Sequence, residues 1–236
     1  MQDGVLIVNK AKGMTSHDVV QLARRKLKLR RIGHTGTLDP IAEGVLVLLV
    51  GRATKAQQQA QTYRKRYEAT VRLGIQTDTG DAWGQTRQTA PVPLLARHEV
   101  EAVLAAFVGP LVQTPPPFSA VKVQGRPLYW WARKGQHPSV PSRTVQLFAV
   151  DLLDLTGDRL RIRVECSSGT YIRSLAEAIA QRLGTVGHVS ELTRLTVGTW
   201  ELADAISVQQ MMDASEHDVW KWIWPLGQVH ANPRHA

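Results

Sequence analysis

Apolar positions recur along this chain with two periods, and the switches between them mark its elements. Gly4–Asn9 (GVLIVN) is a short apolar run rich in branched residues and predicts a strand. Lys10–Gly13 is a turn. Thr15 or Ser16 then offers an N-cap, Asp18 sits in the first turn, and Val19, Val20, Leu22, Ala23 and Leu27 recur at helical spacing. That helix should end in the basic stretch Arg24–Arg31. Gly33–Pro40 (GHTGTLDP) holds two glycines and closes on Asp-Pro, whose first residue is pushed out of the helical region, so it predicts a structured loop. Gly44–Val50 (GVLVLLV) predicts a buried strand and Gly51–Tyr63 a helix. Arg66–Gly74 predicts an alternating strand with Tyr67, Ala69, Val71 and Leu73 on one face.

Ile75–Pro93 is polar and turn-rich and reads as a long loop, a kind of segment that in compact domains usually carries function. Glu99–Val108 predicts an amphipathic helix, Thr114–Pro117 an extended stretch, Ser119–Val123 a short strand and Pro127–Lys134 a helix. Thr144–Leu155 and Arg159–Cys166 predict two long strands, Thr170–Leu183 a helix stopped at Gly184, and Asp204–Trp224 a helical tail pinned by Trp220, Trp222 and Trp224. Strands and helices follow one another without regular alternation. The expected fold class is therefore α+β, a mixed, largely antiparallel central sheet flanked by helices, rather than a doubly wound parallel sheet. The expected organisation is a single domain over residues 1–236 with a helical C-terminal segment at about 203–226.

Composition agrees with a packed fold, since 43% of the 236 residues are hydrophobic. Charge adds more. Lys and Arg number 29 against 20 Asp and Glu, a net +9. Residues 1–72 hold 14 of the basic and 5 of the acidic residues, so the whole surplus lies in the first third. A fixed cationic surplus attracts a polyanion and releases its counterions, which points to nucleic acid, although a basic face kept for solubility fits the bias equally well. The lone Cys166 excludes an internal disulfide and fits a reducing compartment. Val45–Val50, the longest apolar stretch, is too short to span a bilayer, so the expected location is the cytoplasm. No His or Cys pair has metal-ligand spacing with partners nearby, and no metal or other cofactor is expected.

Asp39 is the first candidate for chemistry. It stands on a glycine-bearing loop between two apolar strands, with Pro40 fixing the next φ. A carboxylate on such a loop can serve as nucleophile or base, while by local pattern alone it is a turn residue of an Asp-Pro bend. Its neighbourhood raises the first reading: His34, Thr35 and Thr37 are polar, and Arg30, Arg31, Arg52 and Lys55 lie just outside. No Gly-Lys-Ser/Thr follows, so the loop is not a nucleotide-hydrolysing P-loop.

At this loop the chain resembles the TruB family of pseudouridine synthases. GHTGTLDP followed by IAEGVL (Gly33–Leu46) looks like the family signature. Further stretches agree in order: GVLIVNKAKGMTSHDVV (Gly4–Val20), RYEATVRLGIQTDTGDAWG (Arg66–Gly84), PPPFSAVKVQGRPLYWWARKG (Pro115–Gly135), CSSGTYIRSLAEAIAQRLG (Cys166–Gly184) and HVSELTRLTVG (His188–Gly198). The resemblance implies that Asp39 is the catalytic aspartate, that Tyr67 stacks on the target base and is a candidate general base, and that Arg173 pairs with Asp39. It implies that Leu192 walls the base pocket and that His34 fills the space left in the RNA by the extruded uridine. Lys10, Lys12, Lys55 and Lys122 fall in segments expected to face phosphates. The implied substrate is the tRNA T-arm, with no membrane and no obligatory protein partner, and the long loop after Tyr67 is expected to order on RNA. Many relatives carry a small C-terminal RNA-binding domain; none is expected within these 236 residues, which would be either a minimal form or a truncated one.

The implied chemistry is consistent in itself. The target base must leave the stack, which costs a few kcal/mol. An enclosed pocket with an aromatic face and apolar walls keeps the freed uracil in place while it turns. An arginine opposite an enclosed aspartate offsets the cost of taking that charge out of water. Each residue has a plainer reading: Tyr67 and Leu192 as core, Arg173 as a helix-surface pair, His34 as a loop histidine bonded to a carbonyl, the lysines as solvated turn residues. Two other functions stay in competition, a non-catalytic RNA-binding protein or chaperone on the same scaffold and a synthase directed at ribosomal RNA.

Overall fold

A computed structural model describes residues 3–136 and 138–225. In chain order its first elements are β1 (Gly4–Lys10), α1 (Ser16–Lys26), β2 (Ile32–His34), β3 (Glu43–Val50), a 3-10 turn (Gly51–Ala56) running into α2 (Gln57–Gln61), and β4 (Lys65–Leu73). There follow β5 (Ile75–Thr77), β6 (Thr86–Thr89), α3 (Arg97–Ala105), β7 (Gly109–Gln113), β8 (Lys122–Val123), β9 (Arg126–Pro127), α4 (Leu128–Ala132), β10 (Arg143–Thr156), β11 (Arg159–Cys166), α5 (Ile172–Arg182) and β12 (Gly187–Val197). The chain closes with β13 (Trp200–Glu201), β14 (Ile206–Ser207), α6 (Val208–Asp213), α7 (Glu216–Lys221) and β15 (Trp224–Pro225). Among the described residues the main sheet is mixed, largely antiparallel and 11-stranded, with helices about it, so the α+β expectation holds. The chain divides into two compact units, residues up to Tyr67 with those from Thr193 onward, and Glu68–Leu192.

In the first unit β3 is the central strand. β1 runs antiparallel along one edge, from Gly4↔Val50 to Lys10↔Gly44. On the other edge β2 pairs with the end of β3 (His34↔Leu48), and β12 pairs in parallel with its start (Thr193↔Glu43, Arg194↔Gly44). The loop between β2 and β3 therefore leaves the ladder beside Leu48 and runs back to the beginning of β3. The continuous run GVLVLLV has a simple cause, since the strand is buried on both faces. Leu46, Leu48 and Val50 pack with Leu6, Val8, the α1 residues Val19, Val20 and Ala23 and its C-cap Leu27, while Val45, Val47 and Leu49 pack with Val5, Ile7, Ala53, Val197 and Trp200.

Helix α1 begins as expected. Thr15 is the N-cap and forms a capping box with Asp18, and Arg24, Arg25 and Lys26 fill the last turn, where they complement the helix dipole. The segment after β3 starts as a 3-10 turn rather than as the expected α-helix. The tail is broken into α6, α7 and two-residue strands. Trp220 and Trp222 pack on the α1 side, and Trp224 meets Trp200 edge-on at 5.2 Å. Residue 226, the last of the expected helical segment, lies outside the described residues.

In the second unit β10 pairs antiparallel with β11 and, on its other side, with β7. Ile75–Pro93, read from the sequence as a loop, contains the hairpin of β5 and β6. Thr86–Thr89 is exposed throughout, so no apolar face marks the strand. The turn is held by its own side chains: Asp78 Oδ1 accepts from Gln85 N at 2.8 Å, and Asp81 Oδ1 accepts from Thr79 Oγ1 at 2.7 Å and Trp83 N at 3.1 Å.

Gly44 gives the fold its sharpest constraint. It lies at φ +109°, and a Cβ there would run into the backbone carbonyl of Arg194 where β3 and β12 meet. We expect Gly44→Ala to lose on the order of 2 kcal/mol or more of unfolding free energy, measured by urea titration. A midpoint equal to wild type would show that the close approach carries no weight.

Candidate active site

A loop that leaves a ladder must find other partners for its N–H and C=O groups. Most carbonyls and several N–H groups of residues 35–42 find them in side chains and in backbone outside the ladder. Thr35 N donates to Val47 O at 3.1 Å, and Ala42 N donates to Asp39 O at 3.0 Å. Arg194, 1% exposed, donates from Nε to Val45 O at 2.7 Å, from Nη2 to Gly36 O at 3.2 Å and from Nη1 to Thr37 O at 3.4 Å. Ser16 Oγ accepts from Leu38 N at 2.8 Å and donates to Leu38 O at 3.1 Å. Gly13 N donates to Pro40 O at 2.9 Å. Lys10 Nζ donates to Ala42 O at 2.5 Å, and also to Met14 O at 2.8 Å and Ala11 O at 3.0 Å. Leu38, Ile41 and Ala42 bury their side chains, and Asp39 itself is half-buried among these fixed neighbours.

Lys10 departs from its expected role. It is fully buried, and its three ammonium protons are directed at three carbonyls, so none is left for a phosphate. Its work is to hold the start of α1 and the end of the Asp39 loop together. Burial, reinforced by the Arg194 charge and opposed by Asp39, Glu43 and Asp18, lowers its pKa from 10.5 to about 8. His34 ends β2, and Gln57 Nε2 donates to its carbonyl at 3.2 Å. Burial first, then the charges of Arg194 and His17, lower its pKa, which keeps the ring neutral at pH 7. Its Nδ1 is buried with no hydrogen-bond partner among the described residues. Tyr67 is buried on β4, as the alternation predicted. Lys12 and Lys55 are exposed.

In the second unit Arg173 is 3% exposed in the first turn of α5. Nη1 donates to Thr79 O at 2.7 Å, Nη2 donates to Phe118 O at 2.8 Å, and Nε lies 3.9 Å from Asp81 Oδ2. The guanidinium is thus held by the 77–84 turn and the Pro-rich segment, not spread on the helix surface. Leu192 is buried on β12 and Lys122 is exposed on β8.

The sequence reading missed Ser16 and Arg194 as supports of the loop. Ser16 was weighed as an N-cap, but Thr15 takes that place, and two hydroxyls at one helix start leave one for another task. Arg194 has a signal in hindsight, since it falls in the buried phase of β12 between Leu192 and Thr196.

Asp39 is thus a half-buried carboxylate on a loop held in place by buried side chains of α1 and β12. Comparison makes the class definite. Residues 24–172 match the TruB family pseudouridylate synthase N-terminal domain. The "tRNA pseudouridine synthase B" of Francisella tularensis subsp. novicida is 45% identical over 214 residues, 90% of this chain and 71% of that protein. The protein so named in Aromatoleum aromaticum is 47% identical over 206 residues, 87% of this chain and 67% of that one. Among solved structures, a chain of a Cbf5-Nop10-Gar1 complex superposes with TM-score 0.73 at 29% identity, covering 97% of this chain, which spans 61% of that one. A chain of an archaeal box H/ACA sRNP Nop10-Cbf5 complex gives 0.71 at 26%, with the same coverages. This chain is a pseudouridylate synthase, an isomerase of uridine. It belongs to the TruB family. Among the described residues no helix is long and apolar enough to cross a membrane.

The shifted lysine gives a test of the loop's support. Between pH 8 and 10.5 the unfolded chain holds a proton at Lys10 that the folded chain has released. Folding stability from this group therefore rises as pH climbs through that window. We expect the unfolding free energy of wild type relative to Lys10→Met to grow in favour of wild type from pH 8 to 10.5. A flat difference across the window would show that Lys10 titrates as it does in the unfolded chain.

Proposed function

We propose that this chain acts alone, in the cytoplasm, on the T-arm of tRNA and converts the T-loop uridine to pseudouridine with Asp39 as its catalytic residue. The observation that carries this reading is the braced loop. Carbonyls on both sides of Asp39 are held by Arg194, Ser16, Gly13 and Lys10, so its carboxylate is positioned before substrate arrives. The identity to proteins named tRNA pseudouridine synthase B favours tRNA over ribosomal RNA as substrate.

The reaction breaks the C1′–N1 bond, turns the uracil, forms C1′–C5, and moves one proton from C5 to N1 by way of solvent. Asp39 supplies the carboxylate that acts on the reacting nucleotide. Tyr67 stacks on the turned-out base and accepts the C5 proton, Leu192 walls the pocket, and Arg173 supplies the counter-charge to Asp39. His34 is neutral and flat, which suits a ring that takes the place of the extruded uracil in the RNA stack. Exposed Lys12, Lys55 and Lys122 face phosphates. The isosteric Asp39→Asn should abolish conversion of an unmodified tRNA transcript while changing its Kd less than about threefold, a shift under 1 kcal/mol. Purified protein, transcript and buffer suffice for the assay, with pseudouridine mapped afterwards. Conversion surviving in Asp39→Asn refutes the catalytic role, and wild-type protein that binds but never converts supports a binding protein instead.

A further inference from the structure

We propose that the Ser16 hydroxyl is a positioning group for Asp39, acting through the backbone of Leu38. The proposal rests on the reading of Asp39 as the catalytic residue. Ser16 is the first residue of α1, yet the helix does not need its side chain. Thr15 caps the helix: its Oγ1 accepts from Asp18 N at 3.1 Å, while Asp18 Oδ2 accepts from Thr15 N at 2.8 Å. The Ser16 side chain instead turns inward, 2% exposed, and meets both polar atoms of Leu38, N at 2.8 Å and O at 3.1 Å.

Those two atoms belong to different peptide planes. Leu38 N lies in the plane before Leu38, and Leu38 O lies in the plane that also carries the Asp39 N–H. One hydroxyl, donor and acceptor at once, therefore sets the tilt of both, and with it the direction in which the Asp39 side chain leaves the backbone. The post is rigid. Val19, Val20 and Ala23 of α1 pack into the core beneath β3. Arg194 fixes the carbonyls before Leu38 and Gly13 fixes the one after Asp39, so Ser16 acts on the peptide nearest the carboxylate. Alanine at this position leaves a buried N–H and a buried C=O without a partner, and the plane becomes free to rotate. A displacement near 1 Å at a reacting group costs on the order of 100-fold in rate.

The test is single-turnover conversion of an unmodified tRNA transcript with enzyme in excess. Ser16→Ala should lower the rate constant at saturating enzyme by about 10- to 100-fold, with tRNA Kd changed less than about twofold and the same final extent of conversion. Thr15→Ala removes the cap of the same helix and serves as the control, with a lower Tm and an unchanged rate constant. A purely structural serine would make Ser16→Ala behave like Thr15→Ala, and that result overturns the proposal. Hydrogen exchange on the wild-type protein needs no variant: the Leu38 amide should exchange as slowly as those of β3, and exchange at an open-loop rate also overturns it. Asp39→Asn run in parallel separates the two readings. Activity in Asp39→Asn refutes the parent reading, whereas an inactive Asp39→Asn beside a full-rate Ser16→Ala refutes this one alone.

Discussion

Satisfying the backbone of a buried loop with side chains is the constraint on which the site depends. Between β2 and β3 the chain leaves the sheet to display a carboxylate, and it forfeits ladder hydrogen bonds over residues 35–42. Each carbonyl left in a low-dielectric setting would cost about 1–3 kcal/mol if unpaired. Two long cations, one hydroxyl and the backbone N–H groups of Gly13 and Ala42 meet that need, and the cations, Lys10 and Arg194, are fully buried to do so. A buried cation is costly in its own right and persists only where acceptors surround it. Here the acceptors are the loop's carbonyls, so loop and cations stabilise one another, and the conformation that presents Asp39 is the one in which both are satisfied.

This reassigns part of the charge. The cationic excess of the first third looked from the sequence like an electrostatic footprint for a polyanion. In the fold, Lys10 serves the loop, Arg24 Nη2 donates to Ile32 O at 2.8 Å, and Lys26 donates to the carbonyls of Met212 and Ala214. Lys28 pairs with Glu216, and Arg52 pairs with Asp3. Exposed Lys12, Arg25, Arg30, Lys55 and Arg66 remain for the long-range field. Net charge counts both kinds alike, although a buried ammonium bonded to three carbonyls has no donor left for direct contact with a phosphate.

The elements legible in the sequence were those whose burial is periodic. β3 is buried on both faces and reads as an unbroken apolar run, β4 is buried on one and reads as alternation, and α1 and α5 carry apolar stripes at helical spacing. The hairpin of β5 and β6 was not legible, because pairing without a buried face leaves no hydropathy signal and its order comes from Asp78 and Asp81 within the turn. At the site, Asp39 and the loop were visible through glycine and Asp-Pro chemistry. The roles of Lys10, Ser16 and Arg194 were not, since each depends on contacts across 22 to 158 residues of sequence.

Arg173 uses the device found at Arg194, within a different unit. Each is a buried guanidinium whose nitrogens bond carbonyls of separate segments: Gly36, Thr37 and Val45 for Arg194, Thr79 and Phe118 for Arg173. The planar, five-donor fork makes arginine suited to this, because several fixed acceptors immobilise the group as firmly as it immobilises them. Lysine could not replace either without losing the fixed angles between donors. The turn that Arg173 bonds is in turn closed by Asp81, which puts a carboxylate near its Nε and leaves the cation oriented rather than merely neutralised. An oriented cation can favour one position of a negative charge over another, whereas a mobile one lowers the energy of every position alike.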